Sequence, residues 1–118
     1  MAVRFFRDKA DPYSERVKAH GFVSGEVALS FSDGAVHTVT AGGNITFSLT
    51  DWPSAEKSCG LTLVLTDGGN HVMTWPAEVD WPGKTAPSLT TDGTDRLVFV
   101  SETGGTAPQG FLAGADIG

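Results

Sequence analysis

Two stretches of this chain, Ile45-Thr46-Phe47-Ser48-Leu49-Thr50 and Leu61-Thr62-Leu63-Val64-Leu65-Thr66, alternate large apolar side chains with smaller or polar ones. Alternation with a period of two puts the apolar set on one face of an extended strand, where it must be buried against another layer. The texture begins at Phe22: Val27, Leu29 and Phe31 share one face, Ser32-Asp33-Gly34 supplies a turn, and Ala35 to Ala41 reads as the returning strand of a hairpin. Gly42-Gly43-Asn44 is expected to turn the chain again, and Asp51-Trp52-Pro53 to end the next strand, because proline has no N–H for a ladder. Asp67-Gly68-Gly69-Asn70 reads as a further hairpin turn into His71 to Trp75, and residues 76 to 95 as an ordered loop with a short strand at Glu78 to Trp81. Arg96 to Glu102 and a closing strand from Phe111 complete the set. About seven short strands separated by turn signals predict an all-β domain, an antiparallel β-sandwich or barrel.

The 118 residues hold one hydrophobic core, so a single β-domain over 21–118 is expected, preceded by an extended N-terminal arm over 1–20. Asp11-Pro12, with Tyr13, Val17 and Lys18 at helical spacing, predicts at most one or two helical turns in the arm. Charge separates the two parts. The arm carries five cations (Arg4, Arg7, Lys9, Arg16, Lys18) against three anions, and the remainder three cations against eleven anions. An acidic body repels phosphates, and no basic stripe is interleaved with aromatics, so no nucleic acid is expected as a partner. No apolar run reaches membrane-span length, and no membrane partner or signal peptide is expected. The one cysteine, Cys59, excludes an internal disulfide and a cysteine-based zinc site, and is read as packing.

Leu61-Thr62-Leu63, Asp67-Gly68-Gly69, Thr74-Trp75-Pro76, Val79-Asp80-Trp81, Gly83-Lys84-Thr85-Ala86-Pro87, Leu89-Thr90, Asp95-Arg96-Leu97-Val98-Phe99 and Gly104-Gly105 follow one another over the second half of the chain. This string, with Ala41 to Phe47 and Trp52-Pro53 upstream, resembles a module of tailed-bacteriophage virion proteins, and the likeness covers about residues 25 to 114. The resemblance implies a structural or adhesive β-module that commonly assembles as a homotrimer. The module makes up nearly the whole sequence with no shaft repeat before it, so a capsid decoration (cement) protein that binds the major capsid protein is expected over a fibre. Its localisation would be the virion surface, after synthesis in the host cytoplasm. Val3, Arg4, Phe5, Phe6 and Arg7 are the candidates for anchoring through the arm, against the alternative that the apolar three cover the domain's own core. A tail-fibre or tail-tip module recognising host glycan through Trp75 and Trp81 is the competing function, against the plainer reading that these rings pack on Pro76, Pro82 and Pro87.

Chemistry is sparse. There is no Gly-x-Ser-x-Gly elbow, and His20, His37 and His71 form no His-x-x-x-His metal pair. One histidine per chain on an oligomer axis remains a conceivable metal site. Asp92-Gly93-Thr94-Asp95 lacks the closing Glu of a calcium loop and reads as a turn whose aspartates cap backbone N–H groups. Glu78 and Asp80 are the nearest pair for glycoside hydrolysis, with surface charge the favoured reading. The glycine pairs lack the Lys-Ser/Thr and the helix of a phosphate loop. No enzyme activity, catalytic residue, metal or cofactor is expected.

Overall fold

A computed structural model describes residues 15–54 and 57–118, and those residues are all-β. Six strands, β1 (Val17–Ser30), β2 (Val36–Thr50), β3 (Cys59–Thr66), β4 (Met73–Thr74), β5 (Thr94–Ser101) and β6 (Gln109–Gly114), form one open sheet ordered β1-β2-β3-β5-β6, with β4 beside β2. The sheet is mixed: β1, β2, β3 and β4 associate in parallel, and only β3-β5 and β5-β6 are antiparallel.

The parallel pairing of β1 and β2 overturns the predicted hairpin and determines the shape of the molecule. Val17 lies beside Val36 and Ser30 beside Thr50. A straight strand of 14 residues is about 46 Å long, whereas the link from Ser30 to Val36 spans about 21 Å at most. β1 must therefore double back. The ends do meet: the Val36 N–H donates to the Arg16 carbonyl at 3.3 Å, while His37 Nε2 lies 3.0 Å from the Ser30 carbonyl. The bend falls at Gly21 (φ 78°) and Gly25 (φ 83°), where the register with β2 slips twice and where side chains are disfavoured.

β2 makes the same detour at Gly42-Gly43-Asn44, which the β1 register skips between Ala41 and Ile45. The expected turn there is thus a bend within one strand. The next winding begins at β3, with Val36 beside Thr62, and ends at β4, with Ile45 beside Met73. Asp67 to Asn70 forms a short 3-10 turn that carries the chain across to β4, so the second predicted hairpin is absent as well. The chain is a coil of stacked windings, each with a first and a second half.

The first halves of β1 and β2, with β3, β5 and β6, make one layer; the second halves of β1 and β2, with β4, make the other. Val39, Ala41, Leu61, Leu63, Leu65, Leu97 and Phe99 from the first layer and Val27, Leu29, Ile45, Phe47 and Leu49 from the second form a single buried cluster. The strand positions facing inward are the alternating apolar ones of the sequence. Expected burial was right even where expected connectivity was not, because the face of a residue depends on local period and the partner strand on the path of the chain.

β1 begins at Val17, so residues 17–20 of the expected arm are strand and the helical spacing around Lys18 is not used. β1 is also the rim: among the described residues its only strand partner is β2. Its first half is largely exposed, with Val17 59% and Phe22 77% accessible.

Candidate functional site

Trp75 and Trp81 come together at the base of the segment 76–93. Trp75 stacks on Phe47 (centroids 5.0 Å apart, planes 10° apart) and meets Trp81 edge-on at 5.5 Å, and both approach Phe99, at 5.7 and 5.8 Å. The cluster ties the two layers together, because Phe47 belongs to one and Phe99 to the other. Gly110 of β6 permits it: a Cβ there would lie 2.7 Å from the Trp81 ring. The two tryptophans are half-buried core partners, and Trp75 presents one face to Phe47 rather than to solvent. Trp52 packs elsewhere, against Phe31 (4.3 Å) and over Gly105, where no Cβ fits.

Trp81 and Asp80 also line two open clefts. One, of ≈250 Å³, is lined by Asp80, Trp81, Pro82, Gln109 and Phe111; the other, of ≈480 Å³, by Val79, Asp80, Trp81 and Lys84. The walls are fixed by backbone. The Asp80 N–H donates to the Pro108 carbonyl (2.8 Å) and the Gly110 N–H to the Asp80 carbonyl (3.0 Å), which clamps Asp80 onto β6. The predicted strand at Glu78 to Trp81 is reduced to this one bridge. Lys84 (φ 63°) and Ala107 (φ 48°) adopt left-handed backbone on either side, a conformation L-residues avoid unless the surroundings impose it. Asp80 lines both clefts and Glu78 lines neither, so the structure does not join the two carboxylates in a cleft. A third cleft, of ≈350 Å³, opens beside Trp75, His71 and Ser88.

Two polar constellations escaped sequence reasoning. His37 is fully buried, its Nε2 3.0 and 3.1 Å from the carbonyls of Ser30 and Gly34. Carbonyls only accept, so Nε2 carries the proton, and Nδ1 is left to accept from His20 Nε2 at 2.8 Å. The pair joins the rim strand to β2 across 17 residues of sequence, a separation at which no motif could signal it. Burial, then the neighbouring His37 and Lys18, hold the His20 pKa below its ordinary 6.5 against a smaller opposing pull from Asp33.

Asp95, also fully buried, is the second. Its carboxylate accepts from the Thr90 N–H (2.7 Å), the Thr90 hydroxyl (2.7 Å) and the Asp116 N–H (3.1 Å). Burial pushes its pKa up, but these hydrogen bonds outweigh burial and hold it below the ordinary carboxylate value. The capping expected of the Asp92–Asp95 turn holds for Asp95; Asp92 exchanges two hydrogen bonds with the Asn70 side chain instead.

The remaining candidates are placed as follows. Cys59 opens β3 half-buried, its thiol directed at the Ser101 carbonyl and its pKa raised by burial and by Glu102, which suits packing. Among the described residues no three His, Cys, Asp or Glu side chains are grouped to hold a metal ion, and no helix is long and apolar enough to cross a membrane. Val3, Arg4, Phe5, Phe6 and Arg7 lie outside the described residues. Comparison of the chain with protein-family models, curated proteins and solved structures finds no match.

Proposed function

We propose that this protein is a non-enzymatic structural component of a tailed-bacteriophage particle, a capsid decoration protein that binds the major capsid protein as a homotrimer and reinforces the head. Support comes first from the sequence, where the Trp-Pro and Thr-Ala-Pro elements resemble virion modules. The observation that carries the reading is how the fold divides its residues. The resembling motif residues Trp52, Trp75, Trp81, Phe99 and Gly105 are spent on the core and its borders, which supports a scaffold role. Association is left to the rim, where β1 has, among the described residues, β2 as its strand partner on one edge and exposes Val17 and Phe22. A long edge of this kind is a template for another chain.

An arm that touches the capsid extends the footprint of a small domain and adds weak contacts that sum through multivalency. Immunogold labelling of purified particles tests the location: label spread regularly over the head is expected, and label confined to the tail tip overturns the reading in favour of adhesion. Deleting residues 1–14 is expected to abolish capsid attachment while the β-domain keeps its cooperative unfolding; attachment at full affinity by the truncated protein sinks the arm's role.

A further inference from the structure

The two clefts that meet at Trp81 combine an aromatic wall with convergent polar groups. We propose that they form a binding site for a short neutral saccharide, with Trp81 and Phe111 as apolar walls and Asp80, Gln109 and Lys84 as hydrogen-bonding groups. The inference goes beyond the virion reading and does not depend on where in a particle the protein sits.

A sugar ring presents C–H faces that pack on aromatic rings and a rim of hydroxyls that need donors and acceptors in one plane, so its site requires both kinds of wall at once. Trp81 and Phe111 provide the first kind, and Phe111 is 39% exposed at the cleft although it belongs to a strand. The planar carboxylate of Asp80 and amide of Gln109 provide the second, with Lys84 in the larger cleft. The smaller cleft falls just under the range of about 300–1,000 Å³ usual for small-molecule sites and the larger within it. Asp80 and Trp81 line both, which suits two linked sugar units in adjoining clefts.

Rigidity favours the same conclusion. Trp81 is braced by Trp75, Phe99 and Gly110, and Asp80 by its bridge to β6, so little freedom remains to be lost on binding. Lys84, which lines the larger cleft, has left-handed backbone, a conformation commonly retained for function. Charge determines the class of sugar. Asp80 and Lys84 offset each other at the site, and the surrounding body of eleven anions and three cations disfavours an anionic glycan. Trp75 is not the platform, because it lines neither of these clefts.

The test is a titration of the full chain, followed by the indole N–H resonances of its three tryptophans. The probes are maltose, cellobiose, lactose and chitobiose, with a uronate disaccharide as the anionic control. At least one neutral disaccharide is expected to shift Trp81 saturably at millimolar concentration and to leave Trp52 in place, with the uronate weaker. Because Trp81→Ala removes a core partner, the decisive variants are Asp80→Asn, Gln109→Ala and Phe111→Ala, each expected to weaken binding by roughly tenfold with the fold intact. No shift of Trp81 with any neutral probe, equal shifts at Trp52, unchanged binding by all three variants, or tighter binding of the uronate each overturns the site. None of these results bears on immunogold location, so the two proposals fail separately.

Discussion

Asp95 shows how a single carboxylate can hold a segment that lacks ladder hydrogen bonds. It accepts from both donors of Thr90 and from the backbone of Asp116, and so anchors the end of the 76–93 segment and the last residues of the chain to β5. Replacing it by alanine leaves two backbone N–H groups without their acceptor, and Asp95→Ala is expected to cost about 3 kcal/mol, read from urea unfolding. Its folded pKa is depressed, so its contribution is complete above the unfolded value of about 4 and is lost as pH falls through the folded value. His20 behaves likewise at higher pH, because its depressed pKa means that the unfolded chain binds more protons. Stability is expected to decline as pH drops below about 6.5, and His20→Gln to flatten that decline in thermal melts collected from pH 7.5 to 5. The Asp95 turn was legible because aspartate beside glycine favours a local cap. The histidine pair was not, since only the winding of the chain brings Lys18 beside His37.

At the level of the elements, the bends of β1 and the docking of β6 depend on glycine in two different ways. Gly25 has φ 83° and open space where a side chain would sit, so its constraint is backbone conformation alone. Gly25→Ala is expected to cost about 1–2 kcal/mol, a loss that Gly25→Asn partly avoids because asparagine tolerates left-handed backbone. Gly110 has the opposite constraint: an ordinary strand conformation with no room above it. Gly110→Ala pushes on the Trp81 ring and is expected to cost about 1–3 kcal/mol, with a changed near-ultraviolet circular dichroism signal from the tryptophan cluster. The strands β3 and β5 were evident in the sequence, the first from the alternation over Leu61 to Thr66 and the second from the apolar run Leu97 to Val100. The link Ser32-Asp33-Gly34 was misread because the same residues that close a hairpin also close a winding, and local turn chemistry is blind to which strand lies on the far side.

The molecule as a whole is stabilised where its layers close on Phe47, Trp75, Trp81 and Phe99, and is least covered at β1. Phe47→Ala is expected to cost about 3–5 kcal/mol, and native-state hydrogen exchange is expected to show Val17 to Val23 opening well before β3 and β5. Equal protection across all five strands of the larger layer would contradict that gradient. All-β character and the buried face of nearly every strand followed from the sequence, whereas Trp75 and Trp81 pack on Phe47, Phe99 and Gly110 and not on the prolines expected to receive them. The topology did not, because parallel winding and hairpin pairing bury the same alternating residues. The Trp81 clefts were half visible: the aromatic was noted, but Gln109 and Phe111 arrive from β6 nearly thirty residues away, through the bridge to Asp80.

Winding also makes length a stepwise quantity. A β-domain built from hairpins grows sideways, one strand at a time, and each addition changes which edge is last. Here the chain returns to its starting point after each circuit, as Val17 to Val36 shows in nineteen residues. A duplicated circuit could therefore be spliced in at the Phe31–Ala35 link, where it would raise the stack by about 4.8 Å, one strand spacing. The rim and the tryptophan-braced end would keep their identities and move apart by that increment, so a scaffold of this kind can be made a longer spacer without redesigning either end.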